Sequence, residues 1–111
     1  MTNYAAIIER WVASLNGHDK ARFLDFFTDD AVLDDPTVGS EFRGKPGIAK
    51  YYTEYFIGYR TRTRLISVEQ VGKHWHVQVH FTGSFPDGAV DGTFDVTFRG
   101  ELISFVRAEL V

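Results

Sequence analysis

The spacing of large apolar residues changes once along this chain, and that change constrains its fold more than any other feature. As far as Phe56 they recur at three- and four-residue steps; from Thr61 onward they alternate. A helix returns to the same face every three to four residues and a strand every two, so neither half can be satisfied by the other's geometry. The pattern predicts an α+β domain with its helices first and a run of antiparallel strands after them.

In the first half, Tyr4, Ile8, Trp11, Val12 and Leu15 form one helical stripe, and Asn16-Gly17 follows as a stop. Asp19 is a plausible N-cap for a shorter second helix that buries Phe23, Leu24 and Phe27 before a Thr28-Asp29-Asp30 turn. Residues 31–35 read as a short apolar strand. A third helix is expected from Pro46, with Ile48, Tyr51, Tyr52, Tyr55 and Phe56 as its stripe and Gly58 as its end.

In the second half, residues 65–71 read as a strand, Gly72-Lys73 as a tight turn and 74–85 as the longest alternating run. Trp75, Val77, Val79 and Phe81 share one face of that run, while His74, His76, Gln78, His80 and Thr82 share the other. After a Pro86-Asp87-Gly88 turn, residues 93–99 and 102–111 supply two more strands around Gly100. Phe94, Val96 and Phe98 face one way on the first; Val106, Ala108 and Leu110 share a face of the second. Helices gathered on one side of a curled sheet make a cone with an interior pocket.

At 111 residues the chain is expected to be one domain, 1–111, with room for a core but not for a separate cofactor domain. Hydrophobic residues make up 44% and ten are Phe, enough to fill a core and also line a cavity. The net charge of −3 and the scattered Lys and Arg argue against nucleic-acid binding, which needs a broad basic surface. The dense run Arg60-Thr-Arg-Thr-Arg64 reads as a solvated strand edge. With no cysteine, there are no disulfides, thiol nucleophiles or thiolate-bound metals. No apolar run reaches the roughly 18 residues of a membrane span, and no basic region precedes the first apolar residues, so a soluble, unprocessed, cytoplasmic protein is expected.

The chemistry centres on Asp35. It closes a short apolar strand just before Pro36, and apolar surroundings disfavour the charged form of a carboxylate, which suits it to taking and returning protons. The same Asp34-Asp35-Pro36 run also reads as a simple turn start. Histidines 74, 76 and 80 share a strand face, yet no third metal ligand lies near them and the outer surface of the sheet accounts for them; His18 reads as a loop residue. Ser40 follows Gly39 without a nucleophile-elbow pattern, and no glycine run has phosphate-loop spacing.

The segment AVLDDPTVGSEFRG (31–44), preceded by WVASLNGHD (11–19) and followed by the helix carrying Ile48 to Phe56, resembles the ketosteroid isomerases of the nuclear transport factor 2-like superfamily. Thr37 stands as an insertion between Pro36 and Val38. The resemblance implies a cone-shaped fold with three N-terminal helices on a curved, mainly antiparallel sheet, no cofactor, and a homodimer formed through the sheet. It implies Asp35 as the general base that shuttles a proton between two carbons flanking an enol. Tyr52 matches a tyrosine that supports the oxyanion hole, and also fits as a packing residue of its stripe. Trp11 stands where the family carries its main phenol donor, and an indole N–H can donate but cannot accept. For the second donor, an acid, identity selects Asp95 whereas strand parity puts Phe94 at the inner position. Loss of one such donor costs about 2.7 to 4 kcal/mol of transition-state stabilisation.

The expected pocket takes a small apolar ligand. Helix stripe and strand parity select Trp11, Tyr52, Phe56, Val77, Val79, Phe81, Phe94 and Val106 as its lining. The function expected is an isomerase-type proton transfer by Asp35, with Trp11, Tyr52 or Asp95 polarising the carbonyl. A non-catalytic ligand-binding domain and a cyclase, dehydratase or hydrolase of the same superfamily remain as alternatives.

Overall fold

Asn3 opens the first helix: its side-chain oxygen accepts the Ala6 N–H at 3.1 Å, occupying a donor that no helical carbonyl reaches. The computed structural model describes residues 2–111. Helix α1 (Tyr4–Asn16) buries Ile8, Trp11, Val12 and Leu15 of the expected stripe, whereas Tyr4, at its first position, is only half-buried. Asp19 caps α2 (Lys20–Leu24) through the Arg22 N–H at 3.2 Å. The helix ends sooner than expected, and Phe27 instead begins β1 (Phe27–Asp35). Thr28-Asp29-Asp30, expected as a turn, therefore lies within a strand. The reason is a distant partner: Phe27 pairs with Ile103 near the other end of the chain.

A strand not anticipated, β2 (Ser40–Arg43), returns antiparallel along β1 after a turn in which Gly39 takes φ 72°. Helix α3 (Gly44–Tyr52) starts two residues ahead of Pro46, and its final turn, Thr53–Ile57, widens to a π-helix in which the Gly58 N–H reaches the Thr53 carbonyl at 2.9 Å. The strands β3 (Arg62–Val71), β4 (His74–Thr82), β5 (Ala89–Arg99) and β6 (Leu102–Leu110) follow. Arg62 and Arg64 are exposed on β3, whereas Arg60 precedes the strand in a left-handed turn conformation, φ 53°. Strand β4 stops at Thr82, short of Phe85, which frees Phe85 for the loop into β5.

The six strands run in the order β2-β1-β6-β5-β4-β3. Among the described residues only β1 and β6 pair in parallel. The helices cover one face of this curved sheet, where Val77, Val79, Phe94, Val96 and Val106 are buried. Asn16 ties α1 to the outermost strand: its Nδ2 donates to the Thr63 carbonyl at 2.8 Å and its Oδ1 accepts the Thr63 N–H at 2.6 Å, so an amide side chain takes the place of a missing neighbouring strand. Among the described residues, no helix is long and apolar enough to cross a membrane.

Candidate active site

The interior of the cone is divided into a solid part and a hollow part. In the solid part the Trp11 ring stacks on Phe23 at 6.4 Å and meets the edges of Phe27 and Phe94 at 6.2 and 5.1 Å. Toward the other end a cavity of about 320 Å³ remains open. Its walls come from the end of β1, the π-helical turn, the last inward residue of β4 and the β4–β5 loop. Among the described residues, a second hollow beside Asn3, Gln70 and Trp75 is lined by no carboxylate or histidine.

Asp35 lies on the inner wall of the cavity. Strand parity places it there: Ala31, Leu33 and Asp35 point inward from β1, and Asp34 points out. Asp35 is only 7% exposed, and burial costs a carboxylate its water. Two donors replace that water in part: the Tyr51 hydroxyl reaches Oδ2 at 2.9 Å, and the Thr37 N–H reaches Oδ1 at 3.0 Å. Thr37, the extra residue of the motif, thus supplies one of the two hydrogen bonds. Burial, then the charge and hydrogen bond of Asp35, hold the Tyr51 phenol well above the ordinary tyrosine value. Tyr51 therefore stays a donor across the neutral range. Next along the helix, burial also raises Tyr55, with Glu54 and Asp35 adding to it.

Of the residues expected to line the pocket, Asp35, Phe56 and Phe81 do so. Trp11, Tyr52, Val77, Val79, Phe94 and Val106 are instead packed in the solid core. The cause is the volume of Phe23 and Phe27, which fill the narrow end of the cone against Trp11 and Tyr52. The Tyr52 hydroxyl turns back to α1 and donates to the Leu15 carbonyl at 3.1 Å, away from Asp35. The Trp11 Nε1 is buried without a hydrogen-bond partner.

Asp95 is not brought to the cavity. Phe94 takes the inward position on β5, and the register shift in the β5–β6 pair falls beyond Asp95, between Thr97 and Phe98. On the outer face Asp95 belongs to a row that crosses every strand: Glu69, His76, Asp95, Arg107, Asp34 and Glu41 are successive cross-strand neighbours. His76 Nδ1 lies 2.7 Å from Asp95 Oδ1, and His74 Nε2 3.6 Å from the same oxygen. His80 pairs separately with Asp91 at 2.6 Å. These histidines are outer-surface residues engaged with carboxylates. Among the described residues no group of three or more His, Cys, Asp or Glu could hold a metal.

Several cavity residues escaped the sequence reading. Tyr55 and Tyr59 line the cavity and recur at four-residue steps with Tyr51, which donates to Asp35, a visible signal, yet the spacing alone assigns Tyr51 and Tyr55 to a core stripe. Phe85, expected as the end of the alternating run, and Asp87 line the cavity from the loop that follows β4. Leu110 and Val90 close it from the strands.

An α+β cone closed by aromatic rings at one end and open to a cavity at the other defines a domain of the nuclear transport factor 2-like class. The chain belongs to the SnoaL-like domain family, whose model matches residues 8–107. Among solved structures it is similar to a candidate polyketide cyclase from Sinorhizobium meliloti, with TM-score 0.84, 18% identity and 93% of each chain covered. A candidate ketosteroid isomerase from Kribbella flavida also gives TM-score 0.84 at 18% identity, over 97% of this chain and 77% of that one. A ketosteroid isomerase-like protein from Catenulispora acidiphila, in complex with trimethylamine, gives 0.81 at 18% identity, over 92% and 82%. At such identities the likeness is one of fold. No curated protein matches the chain.

Proposed function

We propose that this protein is a cofactor-independent proton-transfer enzyme of the ketosteroid-isomerase kind, in which Asp35 moves a proton next to a carbonyl in a small molecule held in the cavity. The observation that carries this reading is the position of Asp35: buried, on the wall of an apolar cavity, with one oxygen anchored by Tyr51 and the other by the Thr37 N–H. A carboxylate oxygen has more than one acceptor direction, so each keeps capacity to meet a carbon-bound proton. In the forward step the base takes the proton from the carbon beside the carbonyl, and the electron pair passes to oxygen as an enolate. Return of the same proton to the γ carbon, two along from the carbon it left, re-forms the carbonyl and leaves the double bond conjugated with it, which completes the shift. The enolate oxygen needs a donor, and the phenols on the cavity wall, Tyr55 and Tyr59, fill that role in place of Trp11, Tyr52 and Asp95. A cavity of 320 Å³ lies at the small end of ligand sites, and the trimethylamine held by the Catenulispora neighbour supports a small occupant.

The burial of Trp11 and Tyr52 in the solid core favours a second reading, a binding domain that has kept the cavity without the chemistry. Solvent deuterium incorporation into a panel of small cyclic enones separates the two. Proton transfer requires exchange that falls by about 10²- to 10⁴-fold in Asp35→Asn, which keeps the size of the side chain. Equal exchange in the variant overturns it, and saturable binding without any exchange supports the binding domain.

A further inference from the structure

We propose that the molecule taken by this cavity carries an organic cation, a methylated or cyclic ammonium group, seated against Tyr55, Tyr59 and Phe85 and faced by Asp87 and Asp35. The inference deepens the reading of the cavity as the ligand site and does not depend on Asp35 acting as a base.

Charge gives the first argument. Asp35 and Asp87 both line the cavity, and among the described residues no Lys, Arg or His lines it. Asp35 has two neutral donors and no cationic partner, and Asp87 has no ion pair among the described residues. Two carboxylates without a cationic side chain beside them favour a positively charged occupant, which satisfies them both.

The aromatic walls give the second. Tyr59 and Phe85 stand at 88° to each other with centroids 6.0 Å apart, and Tyr55 extends the wall 6.5 Å from Tyr59 at 37°. All three rings line the cavity, and the negative face of an aromatic ring attracts a cation that is too bulky to hydrogen-bond, which is how aromatic cages hold quaternary ammonium groups.

The corner is also built in advance. The Ser84 N–H and Oγ both donate to the Tyr59 carbonyl, at 2.8 and 2.7 Å, which fastens the β4–β5 loop to the segment after the π-helical turn. Within the loop the Gly88 N–H donates to the Phe85 carbonyl at 2.9 Å, so Asp87 lies in a closed turn. A side chain at Gly83 would come within 2.9 Å of both Phe85 Cε1 and the Tyr59 carbonyl oxygen. Only glycine lets the loop approach Tyr59 this closely. Preorganised walls spare a ligand the cost of ordering them.

The test compares choline with 3,3-dimethyl-1-butanol, which has the same shape and no charge, by calorimetry or ligand-observed NMR on the intact protein. Choline is expected to bind about tenfold or more tightly than its neutral isostere. Asp87→Asn, on an exposed turn where folding is not at stake, is expected to weaken choline several-fold and leave the isostere unchanged, and Tyr59→Leu to weaken choline more than the isostere. No saturable choline binding, an isostere that binds equally well, or choline affinity indifferent to Asp87→Asn overturns the proposal. Enone deuterium exchange, run in parallel with and without Asp35, keeps the two readings apart. Asp35-dependent exchange without a choline preference removes the cation assignment alone; a choline preference with exchange indifferent to Asp35 removes proton transfer alone.

Discussion

The Tyr51 hydroxyl donates to Asp35 Oδ2 at 2.9 Å, and both side chains are buried, at 5% and 7% exposure. The pair joins α3 to the end of β1 across the wall of the cavity. It fixes the direction of the carboxylate, and a base must be aimed before it can act. Tyr51→Phe leaves one oxygen of a buried carboxylate without its donor and is expected to cost about 1–3 kcal/mol of stability. In an Asp35→Asn background the same change should cost less, since no charge is then left stranded. Urea denaturation of the two single variants and the double variant gives the coupling directly, and additive costs would show that the pair does not interact in solution.

Alkaline solution should loosen the fold through the same phenol. Tyr51 has its folded value raised above that of an unfolded tyrosine, and Tyr52 and Tyr55 are raised in the same direction. Below about pH 10 both folded and unfolded states keep these protons, and the contribution is whole. Above it the unfolded chain releases protons that the folded chain retains, so stability falls as pH rises, until the folded groups ionise as well. Unfolding free energies measured between neutrality and strongly alkaline pH should decline in the wild type and decline less in Tyr51→Phe. Parallel curves would mean that Tyr51 ionises as an ordinary tyrosine.

Trp11 should behave as a packing residue. Its ring is 1% exposed and its Nε1 has no partner, so Trp11→Phe removes volume but also removes a stranded donor. These effects oppose each other, each on the order of 1–3 kcal/mol, and the net change in melting is expected to be small. Any enone turnover should stay within a few-fold of wild type. A loss of about 10²-fold or more in turnover, with the fold intact, would restore Trp11 as an oxyanion donor.

Gly92 sets the position of one cavity wall. A Cβ there would stand 2.6 Å from Phe81 Cε2 and 3.0 Å from the Glu109 carbonyl oxygen, and Phe81 is a lining residue. Gly92→Ala is therefore expected to displace the Phe81 ring, cost about 1–3 kcal/mol and change ligand affinity. Thermal melting and a binding titration on the same sample check both; a variant that matches wild type in each would show that the ring moves aside freely.

Sequence alone bore on whatever depends on which face of one element a residue occupies. The stripe of Ile8, Trp11, Val12 and Leu15 follows from the 3.6-residue period, because backbone geometry carries that information locally; the two-residue period favours Asp35 and Phe94 for the interior, but a turn start and an identity match with Asp95 stood against them until the packed sheet decided. Tertiary structure decided what depends on distance between elements. Nothing in the neighbourhood of Phe27 announces a parallel pairing with β6, and nothing in the adjacent tyrosines tells which one meets Asp35 and which turns back to Leu15. The place of the cavity was likewise hidden, since it is the space left over after Trp11, Phe23, Phe27 and Tyr52 have packed. Residual volume is a property of the whole packing, and no segment encodes it by itself.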